Sequence, residues 1–352
     1  MKMKQFDKIL FVTLIVVAGI IAGCRNQDWE FPDFKYTTVY FAYQSPVKTL
    51  ILGNDDVYDN SKDNEHIVQI FATMGGVYEN KIDRIIDVEI DNSLCENLKF
   101  ESATGDIVMA LPSDYYELPS KMQIVIPKGK IMGCIEFKLK DAFFNDPNAI
   151  KRCYVIPLVM KSVKNADSIL RGKPLVENPD RRVASDWQIL PKDYTLYAIK
   201  FINPWDAYYL RRGKNVVKGK NGNTSLDAEY IYRKKYVEWD EVCKINTVSL
   251  KDASLTLKTK ADDKTTDVPF TIILRFDENN NCTITNIEGS TYTATGNGKY
   301  VEDADEWAGV KRDVLYLNYV VEFANTTHTF TDTLVMRDRG EKMETFNPYV
   351  IR

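Results

Sequence analysis

The dominant period of this chain is two residues, and that period constrains its fold more than any other feature. Ile135, Phe137 and Leu139 alternate with Glu136, Lys138 and Lys140. Phe270, Ile272, Leu274 and Phe276 alternate with Thr271, Ile273 and Arg275, and Leu315, Leu317, Tyr319, Val321 and Phe323 share one phase. Successive side chains of a strand point to opposite faces, so each run has one face for a core and one for water. That pattern is the habit of antiparallel sheets. Asp277-Glu278-Asn279-Asn280-Asn281, Asn221-Gly222-Asn223 and Thr295-Gly296-Asn297-Gly298 read as turns between strands. Many short strands so punctuated predict a sandwich or a barrel. A short helix near 144–151 or 233–243 is compatible with this all-β reading. No long amphipathic helix follows the first 23 residues, and no internal repeat is evident.

The N-terminus follows another rule. Lys2, Lys4 and Lys8 precede an apolar run from Ile9 to Ala22. As a helix that run would span about 21 Å, short of the ~30 Å of a bilayer's hydrocarbon core. A basic start, a short apolar core and small residues describe a secretory signal. Ile21-Ala22-Gly23-Cys24 resembles the bacterial lipobox, in which the cysteine thiolate takes up diacylglycerol. Cleavage before Cys24 and acylation of it would hold the protein on a membrane. The tether Arg25-Asn26-Gln27-Asp28-Trp29-Glu30 carries acids that weakly resemble outer-face sorting signals, so the cell surface is the expected side of the outer membrane.

Losing residues 1–23 removes three lysines and one aspartate, which moves the formal net charge from −4 to −6. Such a chain does not attract phosphate backbones, so nucleic acid is not an expected partner. Five cysteines remain beyond Cys24, namely Cys95, Cys134, Cys153, Cys243 and Cys282. None forms a Cys-x-x-Cys pair, and buried small hydrophobes are the expected role; a single bridge such as Cys134 to Cys153 stays open. His66 and His328 are the only histidines. No Gly-x-Ser-x-Gly, GxGxxG, Walker or His-Glu-x-x-His motif occurs, so no catalytic residue, cofactor or metal is assigned. Asp55 to Glu65 is rich in oxygen ligands, but it lacks an EF-hand's glycine and reads as a solvated hairpin loop. Asp303 with Glu306, or Asp114 with Glu117, would serve glycoside hydrolysis only if each pair flanked a cleft.

Alternation lapses at about residue 164. Lys164-Asn165-Ala166-Asp167 and the stretch from Gly172 to Ala184, with Pro174 and Pro179, read as a connector. The expected organisation is a signal peptide (1–23), a lipidated tether (24–35), a first domain (36–163), a linker (164–189) and a second domain (190–352). Asp167-Ser168-Ile169, in the linker, resembles a Bacteroidetes O-glycosylation motif.

Leu111-Pro112-Ser113-Asp114-Tyr115-Tyr116, Ile124-Val125-Ile126-Pro127-Lys128-Gly129 and Tyr154-Val155-Ile156-Pro157-Leu158 form an ordered series. It resembles the N-terminal domain of uncharacterised Bacteroidetes lipoproteins encoded with glycan-utilisation systems. A similar domain precedes the catalytic barrel of some endoglycosidases. The resemblance implies an immunoglobulin-like β-sandwich, with Pro127-Lys128-Gly129 as a turn and Pro157 at a strand edge or bulge. In the second half, Asp186-Trp187, Pro191-Lys192-Asp193-Tyr194, Ile202-Asn203-Pro204-Trp205, Tyr209-Leu210-Arg211-Arg212-Gly213, Gly296-Asn297-Gly298 and Asp332 to Arg339 are similar to the partner domain of those lipoproteins. That implies an up-and-down barrel of lipocalin or streptavidin type. Where the family carries glycine this chain has Asp206 or Ala207, which leaves the turn after Trp205 undefined. The endoglycosidases' Asp-x-x-Asp-x-Asp-x-Glu strand is absent, so their catalysis does not transfer.

Sugars stack their C–H faces on aromatic rings and give their hydroxyls to amides and carboxylates. Trp205, Tyr208 and Tyr209, with Asn203, Asp206 and Arg211, are therefore candidate ligand-binding residues; Trp205 as a plug for the barrel end is the competing reading. Trp239 and Trp307, each beside acids, are further candidates or half-buried barrel residues, and Trp187 is expected to pack the domain junction. The sequence thus leads to a non-catalytic, lipid-anchored glycan-binding accessory working with an importer or hydrolase. An adhesin-like protein-interaction module is the alternative, and an undetected glycoside hydrolase a more distant one.

Overall fold

The computed structural model describes residue 34 and residues 36–351. The expected signal peptide, Cys24 and all of the expected tether but Phe34 lie outside the described residues. Two β units make up the rest: an N-terminal β-sandwich and a closed eight-stranded antiparallel barrel.

One sandwich sheet has five strands, in the order Ser168–Ile169, Thr38–Tyr40, Ile67–Gly75, Met132–Leu139 and Tyr116–Glu117. Its inner face comes from the alternation seen in sequence: Ile135, Phe137 and Leu139 point in against Val68, Ile70 and Ala72. The facing seven-stranded sheet runs Glu344–Thr345, Pro46–Ile51, Tyr194–Ile202, Tyr154–Lys164, Arg84–Ile90 and Gln123–Ile126, with Met109–Ala110 beside Tyr154. Its central strands are apolar on both faces, which is why Tyr154 to Met160 do not alternate. Ile156, Leu158 and Phe201 face the sandwich core, while Val155, Leu196 and Ala198 pack under Leu94, Leu98, Phe100 and Phe346. Burying one such side chain contributes roughly 1.5–3 kcal/mol.

Pro157 is therefore in a central strand, not at an edge. It is tolerated because two partners succeed one another beside it: Leu111 N donates to Val155 O, and Asp91 N donates to Pro157 O, where the Arg84–Ile90 ladder has ended. The Pro127-Lys128-Gly129 turn forms as expected, with Gly129 at φ +78° and Lys130 N donating to Pro127 O at 3.0 Å. Ser168 is in an edge strand rather than an exposed linker, and its hydroxyl lies 2.9 Å from that of Thr38.

The barrel is made by Ala207–Gly219, Glu241–Thr247, Asp252–Lys260, Asp267–Phe276, Asn281–Asn286, Thr293–Trp307, Val310–Glu322 and Thr326–Asp338 in sequence order, and the last strand pairs with the first. Ala228–Tyr232 lies outside this ring, alongside the first strand. Thr295-Gly296-Asn297-Gly298 is not a turn. It lies within the Thr293–Trp307 strand, paired on both sides. Of the helical positions compatible with that reading, the structure has one turn at Asp141–Phe144 and a 3-10 turn at Val237–Trp239.

The second unit is narrower than residues 190–352. Tyr194–Ile202 belongs to the sandwich, antiparallel to Tyr154–Lys164 and parallel to Pro46–Ile51. After the barrel the chain returns to the sandwich, pairing Glu344–Thr345 with Pro46–Ile51 and Pro348–Val350 with Leu98–Phe100. The polar stretch after residue 164 marks where alternation stops, yet the last long sandwich strand arrives after it. Arg339 locks the junction. Its buried guanidinium donates to Asp206 O (2.7 Å) and Asn203 O (2.7 Å) at the barrel entrance, and to Leu52 O (3.1 Å) and Asn54 O (2.9 Å) of the sandwich.

Candidate functional site

The cluster around Trp205 forms the floor of the barrel and offers a ligand almost nothing. Trp205 is buried and stacks on Phe276, ring centroids 3.8 Å apart and planes within 6°. Asn203 donates to Ser249 O (3.0 Å) and Asp252 O (2.9 Å). Asp206 accepts from Thr247 N (2.6 Å) and hydroxyl (2.8 Å) and pairs with Lys244 (2.7 Å). These contacts define the turn that the missing glycine left undefined, and neither Asp206 nor Ala207 needs a positive φ. Tyr209 is fully buried, its hydroxyl donating to Trp205 O at 2.9 Å. Arg211, also fully buried, grips Asp332 through two 3.0 Å bonds and reaches Glu241 at 3.1 Å. Tyr208 is half-buried beneath Lys244 and Arg337. The cause for Tyr209 and Arg211 is strand phase: from Ala207 onward the odd positions point into the barrel. Their polar groups are satisfied by protein, as are those of Asn203 and Asp206 in the preceding turn. The buried Trp205 Nε1 has no partner among the described residues.

The remaining candidates are dispersed. Trp239 is exposed on a 3-10 turn against Tyr236, and Trp307 is half-buried with Arg312 over its ring. Trp187 donates to Asp180 O at 2.8 Å within the connector. The Asp55–Glu65 stretch is a loop ending in a helical turn, Ser61–Asn64, rather than a hairpin. Its Asp63 is buried against Lys48 (2.7 Å), and Asp55 accepts from Val57 N and Tyr58 N. Asp114, Glu117, Asp303 and Glu306 are exposed. The five described cysteines are free, and burial pushes the thiols of Cys95, Cys243 and Cys282 up to about 12.

Two surface grooves deserve comparison. One, of about 460 Å³, runs along the sandwich edge and exposes Tyr43, Tyr58, Phe71, Met132 and Met343. Several of its polar groups are engaged within the fold: Asn60 donates to Ile51 O and Gly53 O, and Asp59 accepts from Ser61 N; Glu341 and Lys342 also line it.

The other, of about 730 Å³, lies on the outer face of the barrel. Gly298 lines it, and Gly296 lies two residues earlier in the same strand. Both occupy inward-pointing positions of their strand, in phase with buried Ala294 and Tyr300. A Cβ on Gly296 would come within 2.5 Å of Tyr319 Cβ, and one on Gly298 within 2.6 Å of Leu317 Cδ2 and 2.8 Å of Cys282 Sγ. Tyr319, Leu317 and Cys282 occupy the space that side chains at these positions would need. On the outer face, cross-strand register aligns Thr283, Asn297, Asn318 and Thr331 in one row. Lys299, Tyr316 and Thr333 form the adjacent row. Strands lie ~4.8 Å apart, so four positions cover ~14 Å. Tyr316 is 40% exposed and presents a ring to solvent. The acid on the rim, Asp277, is occupied by Asn281, whose side-chain and backbone N–H groups hold its carboxyl below the usual range.

An aromatic platform beside amides and hydroxyls is the arrangement that sequence reasoning sought at Trp205. Reading Gly296-Asn297-Gly298 as a turn hid it; the available signal was that Asn297 and Asn281 lie in the solvent phase of alternating runs.

The C-terminal unit matches a family model described as a domain of unknown function (DUF5627) over residues 204–340, and a model described as an N-terminal domain matches residues 34–167. No curated protein matches the chain. Among solved structures, a protein of unknown function from Bacteroides ovatus is 40% identical with a TM-score of 0.83, covering 90% of this chain and 100% of that one. A second B. ovatus protein of unknown function has 12% identity and a TM-score of 0.41 over 89% of this chain and 99% of that one. An auxiliary nutrient binding protein from Bacteroides thetaiotaomicron has 12% identity and a TM-score of 0.39 over 82% of this chain and 90% of that one. By its identity and full-length coverage with the first of these, the chain belongs to the same family of two-unit β proteins as that B. ovatus protein, with a DUF5627 domain as its barrel.

Proposed function

We propose that this protein is a non-catalytic, lipid-anchored accessory that binds glycan on the outer face of its barrel. The observation that carries the reading is the groove over Gly298, where the Tyr316 ring stands beside the amides of Asn297 and Asn318, which have no side-chain partner among the described residues. Acylated Cys24, as the lipobox implies, would place this groove at the outer membrane, facing the medium and a neighbouring importer or hydrolase. Stacking on Tyr316 supplies affinity, and the amides select hydroxyl geometry. The test is a glycan array and affinity gel with the mature chain and with Tyr316→Ala. The variant should lose at least tenfold in affinity while keeping its melting temperature, because the ring lies outside the core. Unchanged binding in Tyr316→Ala would remove this site from the reading.

A second reading, a protein-interaction module, is favoured by the sandwich-edge groove. Phe71, Tyr43 and Met343 expose apolar surface there. Cross-linking in cells, with Phe71→Asp as the comparison, separates the two.

A further inference from the structure

We infer that the barrel groove is built for an acidic glycan, one whose repeating unit carries a carboxylate. This deepens the glycan reading above and rests on it. The chain as a whole has more acids than bases, yet this face is the reverse. Three successive cross-strand rows, through Asn281, Thr283 and Thr285, cross to the Thr326–Asp338 strand without an outward Asp or Glu. The middle row is continued by Arg275 at one end and Lys214 at the other. Arg275 is bound to Asp252 (2.8 Å) and Lys214 to Glu229 (2.9 Å), so both are largely neutralised. Lys251, on the rim, is only 3.7 Å from Glu278.

Lys299 differs. It is the direct cross-strand partner of Tyr316 and of Asn281, it lines the groove, and among the described residues it has no ion pair. A cation with no salt bridge among the described residues, beside an exposed ring and two amides, suits a pyranose that stacks one face on the ring and turns a carboxylate toward the ammonium. A neutral sugar would take hydrogen bonds from Lys299 but leave its charge unmatched. A phosphate-dense polymer would need several unpaired cations, and the neighbours of Lys299 already have partners. Asp277 stays ionised on the rim and acts on Lys299 from beyond ion-pair distance, so a ligand carboxylate shares the ammonium with it; its oxygens are engaged by Asn279 N, Asn281 N and Asn281 Nδ2.

The experiment is native affinity electrophoresis of the mature chain, residues 24–352. The gels contain polygalacturonate, alginate or hyaluronan, with methyl-esterified polygalacturonate, mannan and xylan as neutral counterparts. Retardation by at least one acidic polymer, at least tenfold weaker for Lys299→Gln and weakened by raising salt from 0.05 to about 0.5 M, is the expected result. Tyr316→Ala should abolish it. Equal or stronger binding of the neutral polymers, with Lys299→Gln unaffected, overturns the acidic assignment and leaves the glycan reading standing. No retardation in any gel overturns both.

Discussion

His328 shows how much one buried side chain can set. Its Nδ1 lies 3.0 Å from both Asn215 Nδ2 and Thr259 Oγ1, its Nε2 lies 3.1 Å from Thr326 Oγ1, and Phe323 and Phe330 flank the ring. Burial lowers its pKa to about 4, against an ordinary 6.5 for the unfolded chain. Above pH 6.5 both states are neutral there. Below it the unfolded chain takes up a proton that the native imidazole refuses until about pH 4, so stability falls as pH drops through that interval. Urea midpoints measured from pH 7.5 to 4.5 should decline in the native protein and decline less in His328→Gln; parallel curves would remove His328 as the cause. At this scale the sequence was only partly legible. It named Trp205 and Arg211 as unusual, but the same residue types serve a sugar site or a barrel interior, and burial alone tells the two apart.

At the scale of the strand, Gly296 and Gly298 matter most. In isolation a Gly-Asn-Gly run has the chemistry of a turn. Inside a barrel the same glycines let a neighbouring strand press close. Gly298→Val should place methyl groups against Leu317 and Cys282, destabilising the protein by about 1–3 kcal/mol as an overpacked site. It should also lift Tyr316 and Asn318 out of the groove and weaken glycan binding beyond the loss of stability. Chemical denaturation and affinity electrophoresis of one variant check both effects. The faces of the long alternating strands, by contrast, were legible from period two: Phe270, Ile272, Leu274 and Phe276 all point into the barrel, as do Leu315, Leu317, Tyr319 and Val321.

On the scale of the molecule, the two units are joined by more than a linker. Tyr194–Ile202 leaves the centre of the sandwich sheet and reaches the barrel through Asn203 and Pro204, and the chain returns along Pro46–Ile51. Arg339 ties the crossing by donating only to carbonyls. Arg339→Met removes the charged donor from those carbonyls, of which Asn203 O keeps Asp206 N and the Asn54 carbonyl belongs to an exposed residue; each lost buried charge-assisted bond is worth about 1.5–3 kcal/mol. The expected outcome in calorimetry is a single transition in the native protein and two in the variant, the sandwich and barrel melting separately. One undivided, unshifted transition would show that the strand crossing alone couples them.

By itself the sequence determined the all-β class, the inward and outward phase of each long alternating strand, and the lack of familiar catalytic motifs. These properties are local: each is set by a residue and its near neighbours in the chain. Only the tertiary structure decided where the sandwich ends, that Trp205 closes a barrel, and that Asn297, Asn318, Lys299 and Tyr316 stand together on its outer wall. Those outcomes depend on register between strands, which is settled by barrel closure and by which side chains occupy the space beside a glycine. No periodicity along a single strand encodes that.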